Sequence, residues 1–180
     1  MSEMNELSRA LKEQSERHDK LSAHFGPGGD FMLPNRLLKG KTGPGGGTDI
    51  DPLRAAYFLL AVLDGAPRKD AANSLLSHWY KWQEGSHYQK PIELPPVTKL
   101  CPMTGEFLFG KAVAALIERK DLASRTDRVE ISSGGWATIY YDNDKSSRFV
   151  EQLCPMDENR QIIKLSVLDG SVIKFVADMF

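Results

Sequence analysis

Cysteine, one-sided charge and long apolar runs are all scarce in this chain. Among 180 residues the cysteines are Cys101 and Cys154, each followed by Pro-Met, and no Cys-x-x-Cys occurs. Two thiolates cannot complete a zinc shell without other ligands. The four histidines, His18, His24, His78 and His87, are scattered. No metal and no cofactor is therefore expected, and both cysteines read as free thiols in a reducing compartment. The formal net charge is -1, so the chain as a whole lacks the basic surplus of a protein that lives on phosphates, and any such binding needs a local patch. No apolar run approaches the ~20 residues that cross a bilayer. The longest, Ala55 to Leu63, follows a glycine-rich stretch. The first residues, Met-Ser-Glu-Met-Asn-Glu, lack the basic start of a signal peptide. A cytoplasmic protein without a membrane partner is expected.

Catalytic signatures are equally sparse. There is no Gly-x-Ser-x-Gly elbow. Gly40-Lys41-Thr42 looks like the tail of a phosphate-binding loop, but the position where the first glycine belongs is Asn35. Such a loop also needs a helix directly after it. Pro44 and the glycines at 43 and 45–47 forbid that helix. The stretch reads as a connector carrying Arg36, Lys39 and Lys41. His78 and His87 lie nine apart, which is no helical ligand spacing, and read as surface or interface residues. Asp142, Asp144, Asp157 and Glu158 lack a full calcium-loop pattern, so a solvated turn is expected. No motif points to an enzyme.

What is present is a sequence of helix and strand signals. Leu7, Ala10, Leu11, His18, Leu21 and Phe25 recur at helical spacing between Glu3 and Phe25. That segment reads either as one amphipathic, self-associating helix or as a helix-turn-helix with Ser15 capping its second helix. Asp51-Pro52 starts a helix that runs through Leu63. A second, from Pro67 to about Gln83, completes a hairpin with a seam of Tyr57, Phe58, Leu60, Ala61, Leu75, Leu76 and Trp79. After a proline-rich linker from Glu84 to Pro102, another helix is expected from Gly105 to Lys120. Arg128 to Ser132 and Trp136 to Tyr141 flank Ser133-Gly134-Gly135, a hairpin signal. Gln161 to Val167 reads as a third strand. Asp169 or Ser171 caps a last helix whose Val172, Phe175, Val176 and Met179 share a face. The expected class is α+β, with a small antiparallel sheet carrying helices on one side. The expected organisation is a helical unit with a glycine-rich basic connector at 1–48, a helical hairpin at 49–90 and an α+β domain at 91–180.

Two constellations bear on binding. Trp79, Tyr80 and Trp82 with Lys81 and Lys90 form an aromatic–basic cluster of the kind that stacks bases, although tryptophans at helical spacing more often belong to a core. Arg9, Lys12, Arg17, Lys20, Arg36, Lys39 and Lys41 form a basic patch able to neutralise phosphates, nearly cancelled by neighbouring Glu and Asp.

Leu33-Pro34, the glycine run after Lys41-Thr42, and the segment from Asp51-Pro52 to Asp64-Gly65 resemble uncharacterised bacterial and prophage proteins. Those proteins pair a helix-turn-helix start, a Leu-Pro then glycine/basic segment, and a Pro-led apolar helix. The resemblance covers roughly the first third of the chain. It implies a winged-helix-like DNA-binding N-terminus, with Arg17 and Lys20 on the recognition helix and Arg36, Lys39 and Lys41 on a basic arm. A non-enzymatic DNA-binding regulator, contacting DNA through Arg9, Arg17, Lys20, Arg36, Lys39 and Lys41, is thus the first expectation. A protein-binding adaptor, inhibitor or virion component docking through Leu7, Leu11, Leu21 and Phe25 is the alternative. Either form can be a homo-oligomer.

Overall fold

The Asp-Pro pair starts a helix as its chemistry dictates. Asp51 Oδ1 accepts from the Arg54 N–H at 2.7 Å, and Pro52 opens helix α1, Pro52–Asp64. Nearly every residue of α1 after its first turn is apolar, so the helix buries most of its circumference. The computed structural model describes residues 51–64, 77–86, 98–151 and 164–180. The expected helix from Glu3 to Phe25 and the connector to Thr48 lie outside them.

The rest of the described chain comprises β1 (Trp82–Gln83), α2 (Phe109–Glu118), α3 (Lys120–Arg125), β2 (Thr126–Ser132), β3 (Trp136–Tyr141), β4 (Lys145–Val150), β5 (Leu165–Asp169) and α4 (Gly170–Ala177). The strands form one antiparallel sheet in the order β1-β4-β3-β2-β5. Alternate residues of each strand face opposite sides. Val129, Ile131, Ala137, Ile139, Tyr141, Phe149 and Leu168 point to one side and join the hydrophobic core with Phe58, Leu60, Phe109, Leu116, Leu122, Ile173 and Val176 from the helices. The α+β class with helices on one side of the sheet is what the chain adopts. Residues on both sides of position 90 contribute to that single core.

The expected hairpin is present. Ser132 Oγ accepts from the Gly134 N–H at 2.9 Å, and Gly135 turns with φ 89°. The turn after β3 is held by charge. Asp142 and Asn143 both take left-handed backbone, φ 52° and 66°, a conformation these side chains tolerate better than most. Arg125 grips Asp142 through two hydrogen bonds of 2.8 and 2.7 Å, and Lys145 adds a third at 3.1 Å. The expected solvated acidic turn is therefore an ion-paired one at Asp142. Asp157 and Glu158 lie outside the described residues.

Four expectations need correction. Trp82 and Gln83 do not end a helix but pair with Val150 and Phe149 as strand β1; residues 77–79 are helical and the chain turns at Tyr80. Strand β4 was not expected, because Lys145-Ser-Ser-Arg148 is polar and draws its order from β3. The helix expected from Gly105 to Lys120 begins only at Phe109 and breaks at Arg119. Gly105, φ 77°, closes a tight turn by donating its N–H to the Cys101 carbonyl at 2.8 Å. Extended backbone at Arg119 redirects the chain so that Leu122 and Ala123 enter the core. The last helix is capped by Asp169, whose Oδ1 accepts from the Ser171 N–H at 2.8 Å. Its buried face is Ile173, Val176 and Ala177, with Val172 and Phe175 half-buried and Met179 exposed.

Candidate functional site

The face of the sheet turned away from the helices gathers side chains that the core does not use. Strand pairing fixes their rows. Arg128 lies opposite Tyr140, and Tyr140 opposite Ser146. Glu130 lies opposite Thr138, and Thr138 opposite Arg148. Trp136 lies opposite Val150, which lies opposite Trp82. The two arginines stack on the aromatics. Arg128 Cζ sits 3.8 Å from the Tyr140 ring centroid, and Arg148 Cζ lies 5.3 Å from that of Trp136. Arg128 Nε also donates to Glu130 Oε1 at 2.7 Å, which supplies a partner to a carboxylate that is otherwise buried. Trp82 meets Phe107 edge-on, with centroids 5.9 Å apart.

This surface presents flat, half-buried π-systems and planar cations in adjacent rows. Aromatic faces and guanidinium planes both accept a stacked base, and an arginine also pairs with phosphate. The carboxylate of Glu130 offsets part of the arginine charge on this face.

No protein-family model, curated protein or solved structure matches this chain.

A second polar group lies beneath the sheet, where α1 ends. His78 Nε2 and Asp64 Oδ1 are 2.7 Å apart, and the ring, expected at the surface or an interface, is buried within the chain. With Asp64 accepting from Nε2, the lone pair of a neutral ring falls on Nδ1, which has no partner among the described residues. Lys81 is 1% exposed and its Nζ donates to the Ser77 carbonyl at 3.3 Å. Burial pushes its amine below the ordinary lysine value, while the charges of Glu151 and Asp64 pull it back up. The strand register explains Glu151: one step beyond the Trp82–Val150 pair, Lys81 and Glu151 fall opposite each other. Lys164 Nζ donates to the Asp64 carbonyl at 3.1 Å and ties in the start of β5. The Asp64 carboxylate thus meets the His78 ring, while its main-chain carbonyl meets Lys164. These contacts join the end of α1 to the helical segment that carries His78 and to the residue just ahead of β5.

The aromatic–basic cluster expected around residue 80 is divided by the fold. Trp79 is core, stacked on Tyr57 at 4.0 Å. Tyr80 is exposed and Lys81 is buried, while Trp82 alone reaches the outer sheet face. Lys90 and His87 lie outside the described residues. So do all the basic residues expected to meet DNA, Arg9, Arg17, Lys20, Arg36, Lys39 and Lys41, and the docking residues Leu7, Leu11, Leu21 and Phe25. Cys101 is buried and in no disulfide; Cys154 is outside the described residues. No cluster of three or more His, Cys, Asp or Glu able to hold a metal occurs among the described residues, and no described helix is long and apolar enough to cross a membrane.

Arg128, Tyr140, Trp136 and Arg148 were missed as site residues, though a signal existed. Arg128-x-Glu130 and Trp136-x-Thr138-x-Tyr140 place every second residue on one side. Arg148 could not be found that way, because its strand was not recognised.

Proposed function

We propose that this protein is a non-enzymatic DNA-binding regulator that stacks unpaired bases on the outer face of its sheet. The observation that carries the reading is the pairing of Arg128 with Tyr140 and of Arg148 with Trp136 in neighbouring rows of one face. A flat sheet face with aromatics suits single-stranded segments, since every base has a π-face to offer. The basic residues Arg9, Arg17, Lys20, Arg36, Lys39 and Lys41 would add phosphate contacts that position the strand without reading it.

Fluorescence anisotropy of labelled single-stranded and duplex DNA, at two salt concentrations, tests the proposal. Single strands are expected to bind tighter than duplex, with affinity falling as salt rises. Each lost stacking contact is worth about 1–3 kcal/mol, so Trp136→Ala combined with Tyr140→Ala should weaken single-strand binding by one to several orders of magnitude while the melting transition persists. Unchanged affinity in that folded double variant sinks the sheet-face reading.

The near-zero net charge favours a second reading, an adaptor or inhibitor that binds protein through Leu7, Leu11, Leu21 and Phe25. Absence of DNA binding even at low salt would shift weight to it.

A further inference from the structure

The last strand of the sheet lies at its edge among the described strands. β5 closes the order β1-β4-β3-β2-β5, paired to β2 alone among the described strands. The ladder's phase is set by the Ser133 N–H, which donates to the Lys164 carbonyl at 3.0 Å. Hydrogen-bonded and non-hydrogen-bonded pairs alternate along an antiparallel ladder. Lys164, Ser166 and Leu168 therefore turn their backbone groups toward β2, and Leu165 and Val167 turn theirs to the open edge. No described residue pairs with those outward groups. Their side chains, on the outer sheet face, are 47% and 52% exposed. An edge whose backbone groups meet no partner among the described residues, beside exposed apolar side chains, is a template for another strand.

The strand is complementary to itself. In an antiparallel pair, opposed residues share a face, and outward groups must meet outward groups. A two-fold axis through Ser166 satisfies both conditions. It opposes Leu165 to Val167 of a second copy, and Val167 to its Leu165, so each exposed apolar side chain covers another. It also sets the Lys164 end of one strand beside the Asp169 end of the other, whereas a parallel arrangement would bring like charges together. Moving the axis to Val167 would oppose Leu165 to Asp169, losing half of the apolar match. We propose that β5 pairs with β5 of a second copy across an axis at Ser166, joining two five-stranded sheets into one of ten strands. The outer faces of the two sheets would then be continuous. This pairing is independent of DNA binding. Strand pairing of this length buries less than the ~1,200 Å² of standard stable interfaces, so the dimer is concentration-dependent.

Sedimentation velocity of the full chain over a wide concentration range tests it, with Val167→Lys and Ser166→Cys as variants. The wild type should pass from monomer to dimer. Val167→Lys places a charge on each apolar contact and should weaken the dimer at least tenfold. At the axis, two Ser166 positions form a non-hydrogen-bonded pair with Cα atoms about 4.5 Å apart, within the disulfide range. Ser166→Cys should therefore cross-link to a dimer under mild oxidation, where the wild type does not. A wild type that stays monomeric throughout overturns the proposal. So does a dimer that survives Val167→Lys in a folded protein, or one in which Ser166→Cys fails to cross-link; the cross-link decides should Val167→Lys not fold.

Discussion

The two faces of the sheet are made by the same five strands and do opposite things. The helix-side face is apolar and continuous with α1, α2 and α4, with Phe149 and Ile139 wholly buried. The outer face holds Arg128, Glu130, Arg148 and three half-buried aromatics, and none of its residues enters the core. One face has been used to hold the fold together. The other contributes no side chain to that core. The hydrophobic effect scales with the apolar area removed from water, so the face that the helices cover is the one that stabilises.

The sharpest way to break that contrast is to truncate one aromatic on each side. Phe149 packs against Phe109 with ring centroids 5.3 Å apart and is fully buried. Phe149→Ala is expected to cost about 3–5 kcal/mol in urea unfolding. Tyr140→Ala, on the outer face, should cost much less and leave the transition cooperative. Equal losses would mean that the outer face is as structural as the inner one.

A smaller effect tests how tightly the covered side is packed. At Gly110 of α2, an added Cβ would lie 2.0 Å from the Trp79 indole, and Trp79 is itself held against Tyr57. Gly110→Ala should destabilise by about 1–3 kcal/mol, the usual range for overpacking. A gain in stability, as expected from alanine's helix propensity alone, would show that Trp79 can move aside.

The smallest effect lies at the rim, where charge holds a turn. Hydrogen bonds from Arg125 and then Lys145 lower the Asp142 carboxyl well below the ordinary carboxylate range. A carboxylate with a depressed folded-state pKa adds stability above its unfolded value, about 3.9, and that contribution is lost as pH falls through and below it. The melting temperature of Asp142→Asn should therefore decline less than that of the wild type as pH drops from about 5 to 3. Parallel curves would mean that the exposed ion pairs are fully screened, as many are.

Much of the architecture was legible because it is local. A capping aspartate before proline, Gly-Gly between two β-rich runs, and Asp169 ahead of an apolar helix each act within a few residues, and each appears where expected. The elements that were not read depend on distant partners. β1 is two residues long and is held between Val150 and Phe149 on one side and the backbone of Phe107 and Phe109 on the other. β4 is polar along most of its length and is ordered by β3 and β1 on its two sides. The break at Arg119 follows from the need to bury Leu122. For the site, the alternation that lines up Trp136 with Tyr140 was visible, but not the arginines that stack on them, since Arg148 comes from the unrecognised strand.

By itself, then, the sequence determined the helix starts at Pro52 and after Asp169, the hairpin turn, the α+β class and the apolar set available for a core, because capping, turn geometry and side-chain alternation operate over short spans of chain. The tertiary structure alone decided which face of the sheet the helices cover, that His78 and Lys81 are buried together beside Asp64, and that β5 ends the sheet with its apolar side chains outward. Those outcomes turn on contacts between residues far apart in the chain, where only the packed arrangement fixes which groups lose water and which keep it.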